Sequence, residues 1–323
     1  MWQVMSVSSG KCYMKIGYPC INNSITRNAP STFRLASYSE NRLLQTVKSN
    51  LIHLNQILKY NVRNNLLFFR ISSDLIPFAS HPICKLNWRR IYRSEFEEIG
   101  DFIKSHKIRI SMHPDQFVIL NSPITKTVEN SINELKYHCS ILDAMCLDET
   151  AKIQIHVGGL YKNKQEAIDR FVKTFNRISK FVDCSIKKRL IIENDDRLYN
   201  LRDCFSINQE IGIPIVFDSF HHELLNNEEP MRLALQKAMS TWNICNDGLP
   251  IVDYSSQNNV NGGENKGRKG RHAETIDPIL FKRFLKETQD LDFDIMLEIK
   301  DKEKSALKAL EVLRTNKYCR SYD

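Results

Sequence analysis

The sequence lacks the features that would direct a chain to a membrane, an oxidising compartment or a nucleotide cofactor. No window of its 323 residues approaches the roughly 18 apolar residues that a membrane span needs. The nine cysteines are an odd number and include no CxxC pair, which favours a reducing compartment. The segment Gly17–Cys20 at the end of the first apolar run contains one glycine, whereas a dinucleotide fingerprint needs three. We therefore expect a cytoplasmic protein without a membrane partner or a nucleotide cofactor.

The sequence also has no Pro-, Gly- or Ser-rich linker that would divide it into domains. Its composition, 42% hydrophobic and 26% charged, is that of a globular protein with a large core. We expect one domain over residues 14–304, an extension over residues 1–13, and a C-terminal helix or tail over residues 305–323. The formal net charge of +8 favours an anionic partner, nucleic acid in particular.

Short apolar runs alternate along the chain with stretches of helical periodicity. The runs are residues 15–18, 66–71, 108–112, 153–157, 190–192, 213–217, 249–252 and 295–299. The helical stretches include residues 40–60, 94–106, 128–147, 166–182 and 275–288. Each run is too short for a helix, and most are rich in Ile, Val or Phe. Eight strands alternating with helices predict an α/β fold, the closed (β/α)₈ TIM barrel; an open doubly wound sheet is the alternative.

Residues that can bind metals stand where these runs end. They are His113, His156, Glu193, Asp218 and Glu298, and the nearby loops add His81, His221, His222, Asp253 and His272. Because the carboxyl ends of barrel strands meet at one rim, these side chains are expected to converge there. Crowded carboxylates repel one another unless cations neutralise them, so a metal site is the better interpretation than unrelated surface or core histidines.

The mixture of imidazole and carboxylate groups indicates which ions would bind. It suits Mn²⁺, Zn²⁺ or Fe²⁺ better than Ca²⁺, and the candidates are too many for one ion, so two or three ions are predicted. Closely spaced metals are typical of phosphodiester hydrolysis, but a two-metal sugar isomerase would use similar ligands. A glycine-rich basic loop over residues 262–272 favours a nuclease, because it suits a phosphate backbone; its basic residues are Lys266, Arg268, Lys269 and Arg271.

Motifs spread over residues 14–304 occur together in one known family. They are GYPC (17–20), RI (70–71), LIPFASHP (75–82), SMHPDQF (111–117), HVGG (156–159), LIIENDDRL (190–198), FDSFHH (217–222), SSQ (255–257) and EIKDKE (298–303). In these segments the chain resembles the UV damage endonuclease family. The resemblance implies a barrel related to that of apurinic endonuclease IV. It also implies ATP-independent incision of damaged double-stranded DNA immediately 5′ of cyclobutane pyrimidine dimers, 6-4 photoproducts and some other lesions, including abasic sites.

The same resemblance implies a set of site residues. The metal ligands would be His81, His113, His156, Glu193, Asp218, His221, His272 and Glu298, to which we add Asp253. Catalysis would depend on Glu193, Asp218, Glu298 and His113. We expect two or three Mn²⁺ ions, with Zn²⁺ or Mg²⁺ as alternatives, and a monomer, because duplex DNA needs one open face.

Lesion recognition in the family resembles wedge insertion into the base stack. The implied probes are Gln116 and Phe117, with Tyr18 and Asn22 on the opposite side. Two positions depart from the family: Asp253 stands where some members have histidine, and Ile251 where some have lysine. Phe117 replaces a usual tyrosine, which keeps stacking and removes a hydroxyl.

Three alternatives to this family assignment remain open at the level of sequence. An enzyme like apurinic endonuclease IV would incise at abasic sites instead of photoproducts. A divalent-metal sugar isomerase would ignore DNA, and the basic loop and the Gln116–Phe117 pair argue against it. A non-catalytic lesion-binding protein would need broken metal ligands, which this sequence does not have.

Overall fold

Eight parallel strands close into a barrel in chain order, with β8 pairing to β1. The structure is a computed structural model that describes residues 14–25, 31–181, 184–257 and 270–315. The strands are β1 (Ile16–Pro19), β2 (Phe68–Ile71), β3 (Arg109–Met112), β4 (Lys152–His156), β5 (Leu190–Glu193), β6 (Ile215–Asp218), β7 (Ile251–Tyr254) and β8 (Asp294–Leu297). The predicted TIM barrel is confirmed.

Helices connect the strands and cover the barrel from outside. Within the described ranges they are α1 (Glu40–Arg63), α2 (Trp88–Ile91), α3 (Arg93–Ser105), α4 (Thr125–Ala144), α5 (Lys164–Phe181), α6 (Cys184–Arg189), α7 (Leu201–Ile211), α8 (Ser219–Leu224), α9 (Met231–Met239), α10 (Ile244–Asp247), α11 (Pro278–Glu287) and α12 (Glu303–Thr315). Short 3₁₀ turns lie at Leu35–Ser37 and Ser73–Leu75. The predicted helical stretches match α1, α3, α4, α5 and α11 to within three residues, and α12 begins two residues before the predicted boundary at 305.

Local capping explains where these helices begin and end. Asn200 caps α7 by accepting a hydrogen bond from the Asp203 backbone N–H, while the Asp203 carboxylate accepts one from the Asn200 N–H. The helix ends at Gly212, whose φ of 68° suits glycine in the left-handed region. Such caps occupy backbone groups that the helix itself leaves unpaired.

The strand boundaries differ from the sequence prediction at the residues of greatest interest. Glu193 and Asp218, expected just after their strands, are the last residues of β5 and β6. Asp253, expected after β7, lies inside it, and Glu298, expected inside β8, lies one residue beyond it. Charged residues interrupt an apolar run, but strand pairing continues through them: Asp218 and Asp253 are paired in register.

Alternate strand residues form two separate apolar clusters. One belongs to the main core between strands and helices and includes Phe69, Ile192, Phe217, Val252 and Leu297. The other is a small cluster that we call the inner layer: Phe68, Ile191, Val216, Ile251 and Met296, with Trp242. Because side chains two residues apart on a strand share a face, the inner layer lies inside the barrel. Two residues further along each of these five strands stands a charged residue, namely Arg70, Glu193, Asp218, Asp253 and Glu298.

Two further properties of the described residues bear on the sequence predictions. No described helix is long and apolar enough to cross a membrane. Six cysteines whose side chains the structure describes form no disulfide; they are Cys20, Cys84, Cys139, Cys146, Cys204 and Cys245.

Candidate metal centre

Glu193 lies at the centre of a group of potential metal ligands at the carboxyl end of the barrel. Its side chain is 1% exposed, and its Oε2 lies 3.3 Å from His113 Nε2 and 3.7 Å from His156 Nε2. The register of β4 and β5 places His156 beside Glu193. Burial would raise the pKa of Glu193, but the imidazoles of His156, His113 and His221 hold it well below its usual range. Glu193 is therefore ionised and surrounded by nitrogen ligands.

A second group shares Glu193 with Asp218 and His221. His221 Nδ1 lies 3.1 Å from Glu193 Oε1, 3.4 Å from Asp218 Oδ2 and 3.0 Å from the Asn194 carbonyl oxygen. Burial would lower the pKa of His221, but the carboxylates of Asp218 and Glu193 raise it to about 11. Burial, together with nearby carboxylates, raises the pKa of Asp218. A cation at this point would relieve the crowding of negative groups.

A third group, Asp218, Asp253 and Glu298, already contains a cation from the protein. Arg70 reaches across the barrel and contacts Glu298 through Nη1 and Asp253 through Nη2, the latter at 2.8 Å. Its guanidinium is 3% exposed. Gln154 lies beneath, and its Nε2 donates to Glu193 Oε2 at 2.5 Å and to Asp253 Oδ2 at 2.7 Å.

Hydrogen bonds to the backbone orient two of the histidines toward the centre. His113 Nδ1 donates to the Pro114 carbonyl oxygen at 2.8 Å, and His272 Nδ1 donates to that of Glu298 at 2.7 Å. In a neutral imidazole this leaves Nε2 as an electron-pair donor. His272 Nε2 lies 4.0 Å from Glu298 Oε2, so both rings direct a free nitrogen toward a carboxylate.

The donor atoms fit divalent cations. His113, His156 and Glu193 form one set within 4.8 Å of one another, and Glu193, Asp218 and His221 form another. Asp218 Oδ2 and His156 Nδ1 are buried without a hydrogen-bond partner. Buried polar groups are normally paired, so these two atoms have lone pairs available for a cation. These residues are therefore the ones that could hold divalent ions.

An open cavity of about 740 Å³ lies over this centre. His113, His156, His272 and Glu298 are in its wall, and Phe117, 76% exposed, stands at its edge. Its basic lining residues are Arg70, Arg271, Lys300 and Lys302. The cavity thus combines potential metal ligands, basic side chains and one projecting aromatic ring. Basic side chains suit the phosphates of a nucleic acid, and an exposed aromatic ring suits stacking on a base.

The structure does not bring every predicted residue to this cavity. His81 is exposed, accepts a hydrogen bond from the Ile83 N–H and belongs to none of the ligand groups found among the described residues. His222 is buried against Phe217, and its Nε2 lies 3.1 Å from the Glu229 carbonyl oxygen. Lys266, Arg268 and Lys269 lie outside the described residues.

Tyr18 and Asn22 are placed differently from the prediction that they contact a lesion. Tyr18 is fully buried, packs edge-on against Phe69, and donates its hydroxyl to Asn61 Oδ1 at 2.5 Å. Asn22 is 3% exposed and donates to the Tyr18 hydroxyl at 2.7 Å. The large apolar ring explains this position, because β1 is covered by helices. In this arrangement both side chains are buried and neither lines the cavity over the metal centre.

Arg70 and Gln154 are functional candidates to which the sequence prediction gave no role. A charged residue within the apolar strand Phe68–Ile71 was the available signal, since a buried arginine requires a buried anion. Its partners could not be identified from sequence, because they come from β4, β7 and the end of β8.

A closed (β/α)₈ barrel with imidazoles and carboxylates at the carboxyl ends of its strands defines a class of divalent-metal enzymes. The family model for UV-endonuclease UvdE matches residues 14–321. The chain therefore belongs to the UV-endonuclease family, a family of DNA repair endonucleases, as its motifs predicted.

Individual relatives agree with this membership. A UV DNA damage endonuclease of Clostridium perfringens is 38% identical over 304 residues, which are 93% of this chain and 71% of the relative. The crystal structure of SacUVDE is 44% identical and superposes with a TM-score of 0.86 over 94% of this chain and 99% of that one. Endonuclease IV from Thermus thermophilus shares the fold alone, with 14% identity and a TM-score of 0.52 over 81% of this chain and 93% of that one.

Proposed function

We propose that this chain nicks duplex DNA immediately 5′ of UV photoproducts, leaving a 3′-hydroxyl and a 5′-phosphate. The observation that carries the proposal is the position of the Glu193-centred ligand groups at the base of a cavity with an exposed aromatic ring and basic side chains at its edge. Family membership supports UV-damaged DNA as the substrate. Abasic sites would be a further substrate.

The ligands that we propose for the divalent ions are His113, His156, Glu193, Asp218, His221, His272 and Glu298, with Mn²⁺ as the preferred ion. A mixed set of nitrogen and oxygen donors suits Mn²⁺. When bound, such ions activate water and neutralise charge on a phosphate. Glu193 belongs to two ligand groups, so its carboxylate would hold both together. His81 is exposed and lies outside these ligand groups. It would become a ligand only if DNA binding moved its loop toward the metal centre.

The residues at the edge of the cavity would position the DNA. Phe117 would stack in the gap that a displaced lesion leaves, and Gln116 beside it would bond to base edges. Arg271, Lys300 and Lys302 would neutralise backbone phosphates on the other side of the metal centre. We place Lys266, Arg268 and Lys269 with them by sequence proximity.

We also propose that the protein acts as a monomer on cytoplasmic DNA. A duplex must approach the carboxyl end of the barrel along its full width, which a partner subunit on this face would block. The wide cavity and the projecting Phe117 ring support an open face.

The test is incision of an end-labelled duplex with one defined cyclobutane dimer, in Mn²⁺ and in chelator, mapped at nucleotide resolution. We expect a metal-dependent cut directly 5′ of the dimer. Cutting of a duplex with an abasic site alone would instead indicate an enzyme like endonuclease IV. Cleavage that persists in chelator would contradict the role of the metal centre.

A further inference from the structure

Arg70 occupies the third ligand group in the way that a bound ion would. Its guanidinium lies between the carboxylates of Asp253, on β7, and Glu298, directly after β8. It also donates to Gln154 Oε1 at 2.9 Å. A permanently charged cation therefore already sits where three acidic side chains converge.

The acceptor atoms of Asp253 are largely used by these contacts. Arg70 Nη2 lies 2.9 Å from Asp253 Oδ1 and 2.8 Å from Oδ2, and Gln154 Nε2 donates to Oδ2 at 2.7 Å. A carboxylate has about four lone-pair sites, so most of its capacity is occupied. An ion bound to Asp253 would also lie a few ångströms from the guanidinium, where like charges repel strongly in a dry interior.

The layer below Asp253 offers no group that could complete an ion site. Ile251, two residues earlier on β7, is 1% exposed and belongs to the inner layer with Phe68 and Met296. Asp253 is itself fully buried. Its carboxylate therefore meets Arg70, Gln154 and the carboxylates of Asp218 and Glu298, with hydrocarbon in the layer below.

The overall charge leads to the same conclusion. Four carboxylates meet at this end of the barrel, Glu193, Asp218, Asp253 and Glu298, and Arg70 offsets one of them. Two divalent ions would more than neutralise the three charges that remain. A third ion would leave a large positive excess in a buried site, which is costly.

The geometry points to a centre with two metal ions, in which Arg70 replaces a third ion and Asp253 is a positioning residue for Arg70 and no metal ligand. This inference rests on the proposed metal-dependent function. Arg70 would keep Glu298 in place whether or not ions are bound, because a guanidinium cannot be removed by a chelator or deprotonated.

The test is the number of Mn²⁺ ions bound per chain, measured by elemental analysis after desalting and by titration calorimetry. We expect two ions in the wild type and two in Asp253→Asn, with affinities within about threefold, since the one amide oxygen of the variant can still accept from Arg70. Three ions in the wild type, or the loss of one ion in Asp253→Asn, would overturn the inference.

Arg70→Gln provides the opposite change. Removing the guanidinium leaves Asp253 and Glu298 without a cation, so we expect this variant to bind one ion more than the wild type. Arg109→Gln is the matched control, because Arg109 is also a buried arginine paired with an aspartate, Asp294, but far from the ligand groups. Its ion content should stay at two. If Arg70→Gln folds and binds two ions, the guanidinium does not replace an ion.

Glu193→Gln separates this inference from the proposed function. It should bind fewer ions than the wild type, because Glu193 belongs to two ligand groups. A wild type that binds no ions, or a Glu193→Gln variant with unchanged content, would overturn the proposed function. Three ions in the wild type with loss in Glu193→Gln would overturn only the inference about Arg70.

Discussion

The two ends of the barrel interior are both charged, but their charges are balanced differently. At the amino end, Arg109 pairs with Asp294 at 2.8 Å and Lys152 with Asp247 at 2.5 Å. At the carboxyl end, the carboxylates of Glu193, Asp218, Asp253 and Glu298 lie close together, and Arg70 contacts the last two. The amino end has one arginine or lysine for each of these carboxylates, whereas the carboxyl end has one arginine for four carboxylates.

The apolar inner layer keeps these two ends apart. On β8, Met296 of the inner layer stands two residues after the amino-end charge Asp294 and two residues before the carboxyl-end charge Glu298, which lies just after the strand. Period-two alternation thus gives one strand a structural charge at one end and a functional charge at the other. A paired charge stabilises the fold, whereas an unbalanced set of carboxylates requires ions from solution.

The largest effect is expected for Glu193→Gln at the carboxyl end. Neutralising this shared ligand should lower incision by about three orders of magnitude or more, since the bound ions supply several kcal/mol of transition-state stabilisation. Single-turnover incision of a dimer-containing duplex measures it. Binding of the same duplex should change little, and incision within about tenfold of the wild type would contradict the assignment.

The corresponding change at the amino end, Asp294→Asn, should affect stability instead. It leaves the buried Arg109 guanidinium without its carboxylate, which costs about 3–5 kcal/mol of unfolding free energy. Denaturant unfolding measures this loss. At a temperature where the variant is folded, its ion content and its incision rate should match those of the wild type. Normal stability together with a loss of bound ions would contradict a structural role for the amino-end pair.

A pH effect is expected from His138, which supports the rim from α4. His138 is buried, its Nδ1 donates to the Glu134 carbonyl oxygen at 2.8 Å, and its Nε2 lies 3.0 Å from Ser73 Oγ. Burial lowers its pKa to about 4, and the nearby His113 acts in the same direction. The unfolded chain therefore takes up this proton first, near pH 6.5, so stability is lost as the pH falls from about 6.5 to 4.

The loss is about 3 kcal/mol, at 1.4 kcal/mol for each pKa unit of the shift. Unfolding in chelator over this pH range measures it without the contribution of bound ions. His138→Asn, which cannot take up the proton, should show a flatter dependence. The same slope in both proteins would contradict a neutral His138.

The smallest effect on the fold is expected for Phe117→Ala. Because the ring is 76% exposed, stability should change by no more than about 0.5 kcal/mol. Affinity for damaged duplex should fall by roughly tenfold or more, as stacking on an aromatic ring contributes ~1–3 kcal/mol per base. Ile279→Ala is the matched control: Ile279 is 79% exposed on α11 and is absent from the cavity wall. Equal losses in both variants would remove Phe117 from the interface.

The sequence predicted the barrel and the convergence of ligands because both depend on local pattern. Short apolar runs mark the strands, and a rule of the fold brings their ends together, so His113, His156, Glu193 and Asp218 could be grouped without coordinates. The motifs then identified the family. Helix boundaries were predictable to a few residues for the same local reason.

Pairing across the barrel could not be predicted. Arg70 and Asp253 are 183 residues apart, and only closure of the barrel brings them within 2.8 Å. Burial of Tyr18 was equally hidden, since an aromatic residue at a strand end can face the rim or the helices, and the deciding partner, Asn61, comes from α1. The exposure of His81 depends on the path of the loop after β2, and the sequence pattern does not predict the path of a loop.

The most direct test of the account is anomalous diffraction at the manganese edge from crystals grown with Mn²⁺. We predict one peak among His113, His156 and Glu193, a second among Glu193, Asp218 and His221, and none between Asp253 and Glu298 or beside Asp294. Peaks at the first two positions would establish that the unbalanced end of the barrel is the metal centre. The absence of any peak within coordination distance of Glu193 would contradict it.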